Sequence, residues 1–171
     1  MNHSFAAGTV GNACPCASYT RETMMHAIQL SLTEFTDKTD ILQTYDIYKH
    51  CMYMPTKEKF CKKAADFQND QTIRIFACFM QMQLVGIIVL SLDGYNRAEI
   101  VGIAVDPKHR HQGIGSFMLN RVQKKLRITS LYAETDQDAV DFYRKNSFRI
   151  TAFSRHYNDK TVTRYQCELR T

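Results

Sequence analysis

One stretch of this chain constrains its fold more than any other, residues 98–119, AEIVGIAVDPKHRHQGIGSFML. It begins as an apolar run rich in β-branched residues, is stopped by Asp106-Pro107, and passes through a basic turn to Gly113-Ile114-Gly115 and a periodic segment. This order predicts a strand, a tight loop and a helix N-terminus. Glycines there let the backbone approach a ligand, and the first helical amides lack internal partners. The stretch therefore predicts an anion site suited to a phosphate.

The phrase matches neither of the common nucleotide-binding loops. GxxxxGK[ST] is absent, and Met118 stands where GxGxxG requires its third glycine. Two glycines alone are also typical of a plain helix start. The whole phrase from Val105 to Gly115 resembles the acyl-CoA pyrophosphate loop of the GNAT superfamily of N-acetyltransferases, V-x-P-x-x-R-x-x-G-x-G/A, with every fixed position filled.

A second segment, residues 131–150, is similar to the GNAT sequence that follows, a strand and then N-x-x-A-x-x-F-Y-x-x-x-G-F. Its Phe-Tyr pair is present, with Tyr143 as the second residue. Asp136 replaces the Asn that in the family bonds the pantetheine arm, and a carboxylate cannot donate a hydrogen bond as an amide does. Ser147 replaces the helix-ending Gly, although Asn146 beside it tolerates the left-handed conformation that such an end requires.

The resemblance implies a fold, a reaction and a binding site. The fold would be a single mixed α/β domain whose central, mostly antiparallel sheet is split into a V where acyl-CoA binds, flanked by helices. The reaction would be direct transfer of an acetyl group from acetyl-CoA to a primary amine, with no metal. The cofactor-binding residues that it implies are Ile103, Ala104, Val105, Arg110, His111, Gln112, Gly113, Ile114, Gly115, Ser116, Asp136 and Tyr143.

Two catalytic residues follow from the same resemblance. Tyr143 holds the position whose phenol lies near the cofactor sulfur, and an unperturbed phenol, with a pKa of about 10, suits proton donation to a thiolate. Glu99 lies eleven residues before Arg110, where some histone-type members carry a glutamate that deprotonates the amine through water. A solvent-facing Glu on a strand is the alternative. The N–H of Ile103 or Val105 would polarise the thioester carbonyl.

Composition narrows the function classes. A chain of 171 residues suits one domain, and its net charge of +5 is spread along the sequence without the aromatic-interleaved basic patch of a nucleic-acid binder. The N-terminus lacks a signal-peptide pattern, and no apolar run approaches the roughly 18 residues of a membrane span. We therefore expect a cytoplasmic monomer or homodimer whose partners are acyl-CoA and an amine acceptor, with neither nucleic acid nor a membrane.

The six cysteines contain no CxxC pair and no zinc-like His spacing, so reduced thiols are expected. Cys14-Pro15-Cys16 could chelate a soft metal only with further ligands. Residues 1–22 lack periodicity and predict a flexible extension ahead of an acetyltransferase domain at 23–171. A non-catalytic acyl-CoA sensor of the same fold is the alternative function: Asp136 favours it, whereas Tyr143 speaks against it.

Periodicity outlines the remaining elements. A helix capped by Thr39-Asp40 is expected to run to about Met54, and a second one to begin near Thr56. Tyr45, Tyr48, Tyr53 and Met54 on these helices belong either to the core or to an acceptor pocket. A turn is expected at Asn158-Asp159. Strands are predicted at 25–32, 72–80, 84–90, 97–105, 128–133, 148–153 and 162–169, and later helices after Gly113 and at 137–145.

Overall fold

A computed structural model describes residues 29–157 and 160–170, and in that part of the chain seven strands form one sheet. The strand order is β1-β2-β3-β4-β5-β7-β6. All neighbouring strands are antiparallel except β4 and β5, which are parallel. The strands are β1 (Leu30–Glu34), β2 (Ile73–Met80), β3 (Gln83–Leu92), β4 (Arg97–Val105), β5 (Ser130–Thr135), β6 (Arg149–Tyr157) and β7 (Lys160–Arg170).

Helices cover both faces of the sheet. The α-helices are α1 (Tyr45–Tyr48), α2 (Lys57–Asn69), α3 (Ile114–Leu126) and α4 (Val140–Lys145), and 3₁₀ turns occupy Lys38–Thr44, Lys49–Cys51 and Pro107–His109. These elements confirm the mixed α/β architecture predicted from the sequence. No helix among the described residues is long and apolar enough to span a membrane.

Two hydrophobic clusters lie on opposite faces of the sheet. The first packs α3 and α4 against it, with Met118, Val122 and Tyr143 among its buried residues. The second packs α1 and α2 on the other face, where Tyr48 and Phe60 are almost fully buried. Apolar burial on both faces is the main stabilising contribution to such a sheet. The packing of these clusters also fixes how far the helices on each face lie from β4.

A β-bulge midway along β4 shifts the alternation of its residues between the two faces of the sheet. Val89 pairs with Gly102 and Leu90 with Ile100, so Val101 is the extra residue. Ile100 packs in the first cluster, and Val101 in the second. Gly102 also faces the second cluster, since a Cβ built there would lie 2.6 Å from the Tyr48 hydroxyl. The bulge therefore places two successive residues against the α1 side of the sheet.

The first helical segment differs from its prediction. Its cap is Asp37, whose carboxylate accepts the Thr39 amide at 2.8 Å, and not Thr39-Asp40. The segment is 3₁₀ on either side of a single α-turn and ends at Cys51, because Met52 is extended. Met54, which was expected to be helical, has a φ of +44°.

Element boundaries also shift elsewhere. Of the strand predicted at 25–32, residues 25–28 lie outside the described residues, and β1 runs to Glu34, two residues beyond its predicted end. Thr33 and Glu34 still pair with β2, and the Glu34 carboxylate forms an ion pair with Arg74 of that strand. β5 begins and ends two residues later than predicted, and α4 begins at Val140. The predicted extension at 1–22, the Cys14–Cys16 pair and the Asn158-Asp159 turn lie outside the described residues.

Candidate active site

The site is organised by the divergence of β4 from β5. These strands pair at only three positions, which end at Glu99 opposite Tyr132. Beyond this point β4 continues to Val105 paired with β3, and β5 continues to Thr135 paired with β7. The two strands therefore open a V-shaped gap that widens from Glu99, and the exposed backbone edge of β4 borders it.

The loop after β4 is held by its own hydrogen bonds. The Asp106 carboxylate accepts the Lys108 amide at 2.9 Å, and the Asp106 carbonyl accepts the His109 amide at 2.8 Å. His109 Nδ1 lies 3.5 Å from the same carboxylate. These contacts hold the pKa of Asp106 below its ordinary value, the Lys108 amide being the largest favourable cause. Local polar contacts thus set the chain direction before the glycines.

The loop reaches α3 through left-handed backbone at two residues, His111 with a φ of +62° and Gly113 with a φ of +79°. Gly113 is the N-cap residue, and no side chain caps this helix. The first helical hydrogen bond runs from the Phe117 amide to the Gly113 carbonyl at 2.9 Å. The amides that precede Phe117 in the first turn consequently have no acceptor within the helix.

This N-terminus fits a phosphate group. A Cβ built on Gly113 would meet no atom within 4 Å, so the space beside the amides is open. The Arg110 side chain is exposed, and its Nε lies 3.4 Å from the Val105 carbonyl. A guanidinium beside unpaired amides suits the pyrophosphate of coenzyme A. The predicted residues 110–116 therefore lie together at the carboxyl end of β4.

Gly115 has a second role that its sequence position did not reveal. A Cβ built on it would lie 2.7 Å from the Phe142 ring. The lack of a side chain therefore lets α3 approach α4 closely. The two glycines of the loop serve different purposes, since Gly113 provides a left-handed turn and Gly115 provides helix packing.

Tyr143 is buried on α4 between two aromatic rings. Its centroid lies 5.2 Å from those of both Phe142 and Phe148, in edge-to-face geometry. Burial raises the pKa of Tyr143 well above its ordinary value, and the charges of Cys167 and Cys51 act in the same direction. The phenol therefore holds its proton more firmly than the unperturbed group assumed from the sequence.

Asp136 lies at the end of β5 and caps the turn that leads into α4. Its Oδ1 accepts the amides of Asp138 and Ala139 at 3.2 and 3.3 Å, and its Oδ2 lies 3.9 Å from Arg164 Nη1. One oxygen is thus committed to the start of the helix, a role that the family comparison did not suggest.

The end of α4 corrects a further expectation. Asn146 has a φ of −98°, and Ser147 itself adopts the left-handed conformation with a φ of +65°. The Ser147 amide donates to the Arg144 carbonyl at 3.1 Å, and the Phe148 amide to the Tyr143 carbonyl at 3.1 Å. These two hydrogen bonds place the left-handed residue where the family has glycine.

Glu99 is half-buried at the closed end of the gap. Burial raises the pKa of the neighbouring Tyr132, and the Glu99 charge adds to this effect. Val101, two residues along the strand, packs in the second cluster, so Glu99 faces the α1 side of the sheet.

One element that packs beside β4 could not be found from the sequence. The 3₁₀ turn Lys49–Cys51 packs against β4. Burial raises the pKa of Cys51 to about 12, although the charge of Lys63 acts in the opposite direction. Burial and the Arg110 charge together lower the pKa of His50. No local motif marks these residues, because their place depends on packing across about 50 positions of sequence.

Of the four residues considered for the core or an acceptor pocket, Tyr48 belongs to the core at 1% exposure, and Tyr45 packs against that core. Tyr53 and Met54 are exposed at 88% and 64%, so neither belongs to the core. Within residues 29–157 and 160–170, no cluster of three metal-ligating side chains is found.

A separate cleft of about 420 Å³ lies at the opposite end of the β4–β5 pair and contains none of the predicted site residues. It is open to solvent and polar. Its lining residues are Tyr95, Arg97, Thr129, Ser130, Glu168 and Arg170.

Residues 41–148 match the family model described as Acetyltransferase (GNAT) family. This range includes the loop, Glu99 and Tyr143, and it covers more than half of the chain. Comparison with curated protein sequences gives no significant match.

Solved structures share the fold. The ribosomal-protein-S18-alanine N-acetyltransferase of Escherichia coli superposes with a TM-score of 0.65 at 18% identity, covering 83% of this chain and 94% of that one. A GNAT family acetyltransferase from Elizabethkingia anophelis, crystallised with acetyl-CoA bound, gives 0.61 at 21% identity, with 83% and 98% covered. Ard1 from Thermoplasma volcanium gives 0.63 at 22% identity, with 82% and 97% covered. At such identities the likeness establishes the fold alone.

Proposed function

Because the chain belongs to the GNAT family of acetyltransferases, we propose that it transfers an acetyl group from acetyl-CoA to a primary amine by direct attack. One observation carries the proposal: an uncapped helix N-terminus, at α3, directly follows a strand that diverges from its parallel neighbour. This arrangement offers a phosphate site and an open backbone edge to the same ligand.

The cofactor site is formed by the amides of residues 111–116 together with Arg110. The amides bind the pyrophosphate through the positive end of α3, and the guanidinium adds a charge-assisted hydrogen bond. Ile103, Ala104 and Val105 present the edge of β4 to the pantetheine arm. When bound, acetyl-CoA supplies the acetyl group as an activated thioester.

The Ile103 amide polarises the thioester carbonyl. The position of Ile103 on β4, beyond the point where the strand parts from β5, supports this assignment. A fixed amide donor costs little reorganisation during the reaction. Val105 is the alternative donor on the same strand.

Tyr143 donates a proton to the departing sulfur. Its raised pKa supports this role, because the phenol stays protonated across the physiological range. The same shift makes the phenol a weaker acid. The proton therefore moves to the sulfur only after negative charge has developed there.

Glu99 accepts the proton of the attacking amine through a water molecule. Its position at the closed end of the gap, half-buried and facing the α1 side, supports the role.

The acceptor amine belongs to a small molecule or to a protein. Lys49, His50 and Lys57 lie on the first helical segments, and Arg155 and Lys160 on the last hairpin. This mixture disfavours a strongly cationic acceptor. The four described cysteines are free thiols, which supports action in the reducing cytoplasm.

A non-catalytic acyl-CoA sensor is the second candidate, and the cap role of Asp136 favours it because the pantetheine arm loses an amide partner. Release of CoA thiol, measured with polyamines, amino acids, aminoglycosides and peptide N-termini, separates the two functions. We expect turnover with at least one amine class. Tight acetyl-CoA binding without thiol release from any of them would instead establish a sensor.

A further inference from the structure

The polar cleft at the far end of the β4–β5 pair has a basic side chain on each side of a buried hydroxyl. Ser130 of β5 pairs in register with Arg97 of β4 and with Arg170 of β7. Residues directly opposite each other in neighbouring strands place their side chains on the same face of a sheet, about 5 Å apart. Ser130 therefore lies between the two arginines, and all three residues line the cleft.

This row of side chains keeps hydrogen-bond donors for a ligand. Ser130 is 7% exposed, and its hydroxyl has no hydrogen-bond partner among the described residues. Such an unpaired buried hydroxyl is commonly completed by a ligand or an ordered water. Arg97 Nε lies 3.5 Å from Asp93 Oδ2. Arg170 Nε donates to Glu168 Oε1 at 2.8 Å. Both contacts use Nε, so the Nη ends of the two guanidiniums can still bind an anion.

The charge of the cleft suits a carboxylate. Its lining residues carry two positive charges, on Arg97 and Arg170, and one negative charge, on Glu168. This excess of one positive charge balances a carboxylate, whereas a phosphate monoester carries about −1.5 to −2. The planar guanidinium also matches the geometry of a carboxylate. Both arginine side chains are exposed, so they can part to admit the ligand to the Ser130 hydroxyl.

The cleft lies on the same face of the sheet as Glu99. Arg97 precedes Glu99 by two residues, ahead of the bulge, so both side chains face the α1 side. Tyr132 lies between them, because it pairs with Glu99 and its ring centroid lies 5.6 Å from the Arg97 guanidinium carbon. Glu168, which lines the cleft, pairs with Tyr132 from β7. Two strand residues span about 7 Å, which sets the separation of Arg97 from Glu99 along β4.

We propose that the acceptor carries a carboxylate that is bound by Arg97, Ser130 and Arg170. This inference rests on the proposed function, since it places the attacking amine near Glu99. The substrate is then a small amine whose carboxylate lies about 7–10 Å from the nitrogen, the distance along and across the strands. A free α-amino acid is too short, because its amine and carboxylate share one carbon atom. A longer ω-amino acid such as 6-aminohexanoate has the required span.

The first test uses the native protein and two acceptors of equal length, 6-aminohexanoate and 6-aminohexanamide. Release of CoA thiol from acetyl-CoA gives kcat and KM for each. We expect KM for the carboxylate to be at least about tenfold lower at similar kcat, because charge-assisted hydrogen bonds add affinity away from the reacting atoms. Equal KM values, or turnover of other amines without turnover of 6-aminohexanoate, would overturn the inference alone. Absence of turnover with every amine would overturn the proposed function, and the inference with it.

Arg97→Gln and Arg170→Gln test the two guanidiniums separately. Each substitution should reduce the KM ratio between the two acceptors to about threefold or less, because one charged donor is lost. Arg121→Gln is the matched control and should keep the native ratio, since this exposed arginine lies on α3, on the opposite face of the sheet. A native ratio in both cleft variants would contradict the assignment.

A binding measurement on the native protein avoids any folding defect of the variants. On titration with 6-aminohexanoate, the backbone amide NMR signals of Ser130 and Arg170 should shift, whereas the same concentration of 6-aminohexanamide should leave them in place. Shifts confined to residues 111–116 would place the carboxylate on the phosphate site instead. That result, or the absence of shifts at Ser130 and Arg170, would overturn the inference.

Discussion

Two regions around β4 are built in different ways. The proposed cofactor side consists of one continuous stretch, β4, the loop and α3, and its shape follows from the Asp106 turn bonds and the left-handed Gly113. The tertiary side is the 3₁₀ turn Lys49–Cys51 with α1, brought to β4 by packing from far away in sequence. The difference teaches that the loop proposed to bind phosphate is specified by local backbone geometry, whereas the position of the turn depends on the tertiary core.

The strongest test of the cofactor side is Gly113→Glu. We expect acetyl-CoA affinity to fall by more than about 100-fold, because a carboxylate would enter the open space beside the α3 amides and oppose the pyrophosphate charge. Calorimetry measures the effect. Gly94→Glu is the matched control, since Gly94 has a φ of +80° and equally open surroundings but lies in the β3–β4 hairpin. Equal affinity in the two variants would contradict the placement of the phosphate site.

Tyr143→Phe tests the chemistry between the two sides. Turnover should fall by about 10- to 100-fold, with the acetyl-CoA dissociation constant unchanged, because the ring packing stays and only the acidic proton is lost. Steady-state kinetics and calorimetry together check this separation. Tyr95→Phe, at an exposed and distant phenol, should have no effect. Full activity of Tyr143→Phe would mean that another group protonates the sulfur.

Gly102→Ala tests the tertiary side. Its Cβ would clash with the Tyr48 ring, and overpacking of this kind costs about 1–3 kcal/mol of unfolding free energy. Gly86→Ala, on the neighbouring strand, is the control and should cost less, because its Cβ would meet the flexible end of Met118 at 3.1 Å and the Ala104 carbonyl oxygen at 3.3 Å, both farther than the Tyr48 atoms lie from a Cβ at Gly102. Urea denaturation measures both. A smaller loss for Gly102→Ala than for Gly86→Ala would show that the Tyr48 layer is not rigid.

The smallest expected effect is in the pH profile. Burial raises the pKa of Tyr143, so the acid form persists above the value of about 10 at which a free phenol ionises. Turnover under saturating substrates should therefore show no descending limb below about pH 10. A fall in kcat that begins near pH 9 and is absent from Tyr143→Phe would contradict this.

Sequence reasoning succeeded where local rules dominate. β4 has its predicted bounds at Arg97 and Val105, and α3 begins directly after Gly113, because β-branched alternation and a left-handed glycine act within a few residues. It failed at the first helical segment, because Asp37 offers the same local capping chemistry as Thr39-Asp40 two residues earlier, and because the 3₁₀ segments pack against α2 and β4.

The candidate site divides in the same way. The loop residues could be predicted together, but the roles of Gly115 and Asp136 required the position of α4, a separate element. The place of the 3₁₀ turn Lys49–Cys51 could not be predicted at all, since it packs against β4, which lies about 50 residues later in the sequence. Residues that act through tertiary contacts leave no local pattern.

The most direct test of the account is a crystal structure of the protein with acetyl-CoA. The account predicts the pyrophosphate on the amides of residues 111–116 and the thioester carbonyl within hydrogen-bonding distance of the Ile103 amide. A cofactor bound away from α3, for example in the cleft lined by Arg97 and Arg170, would contradict it.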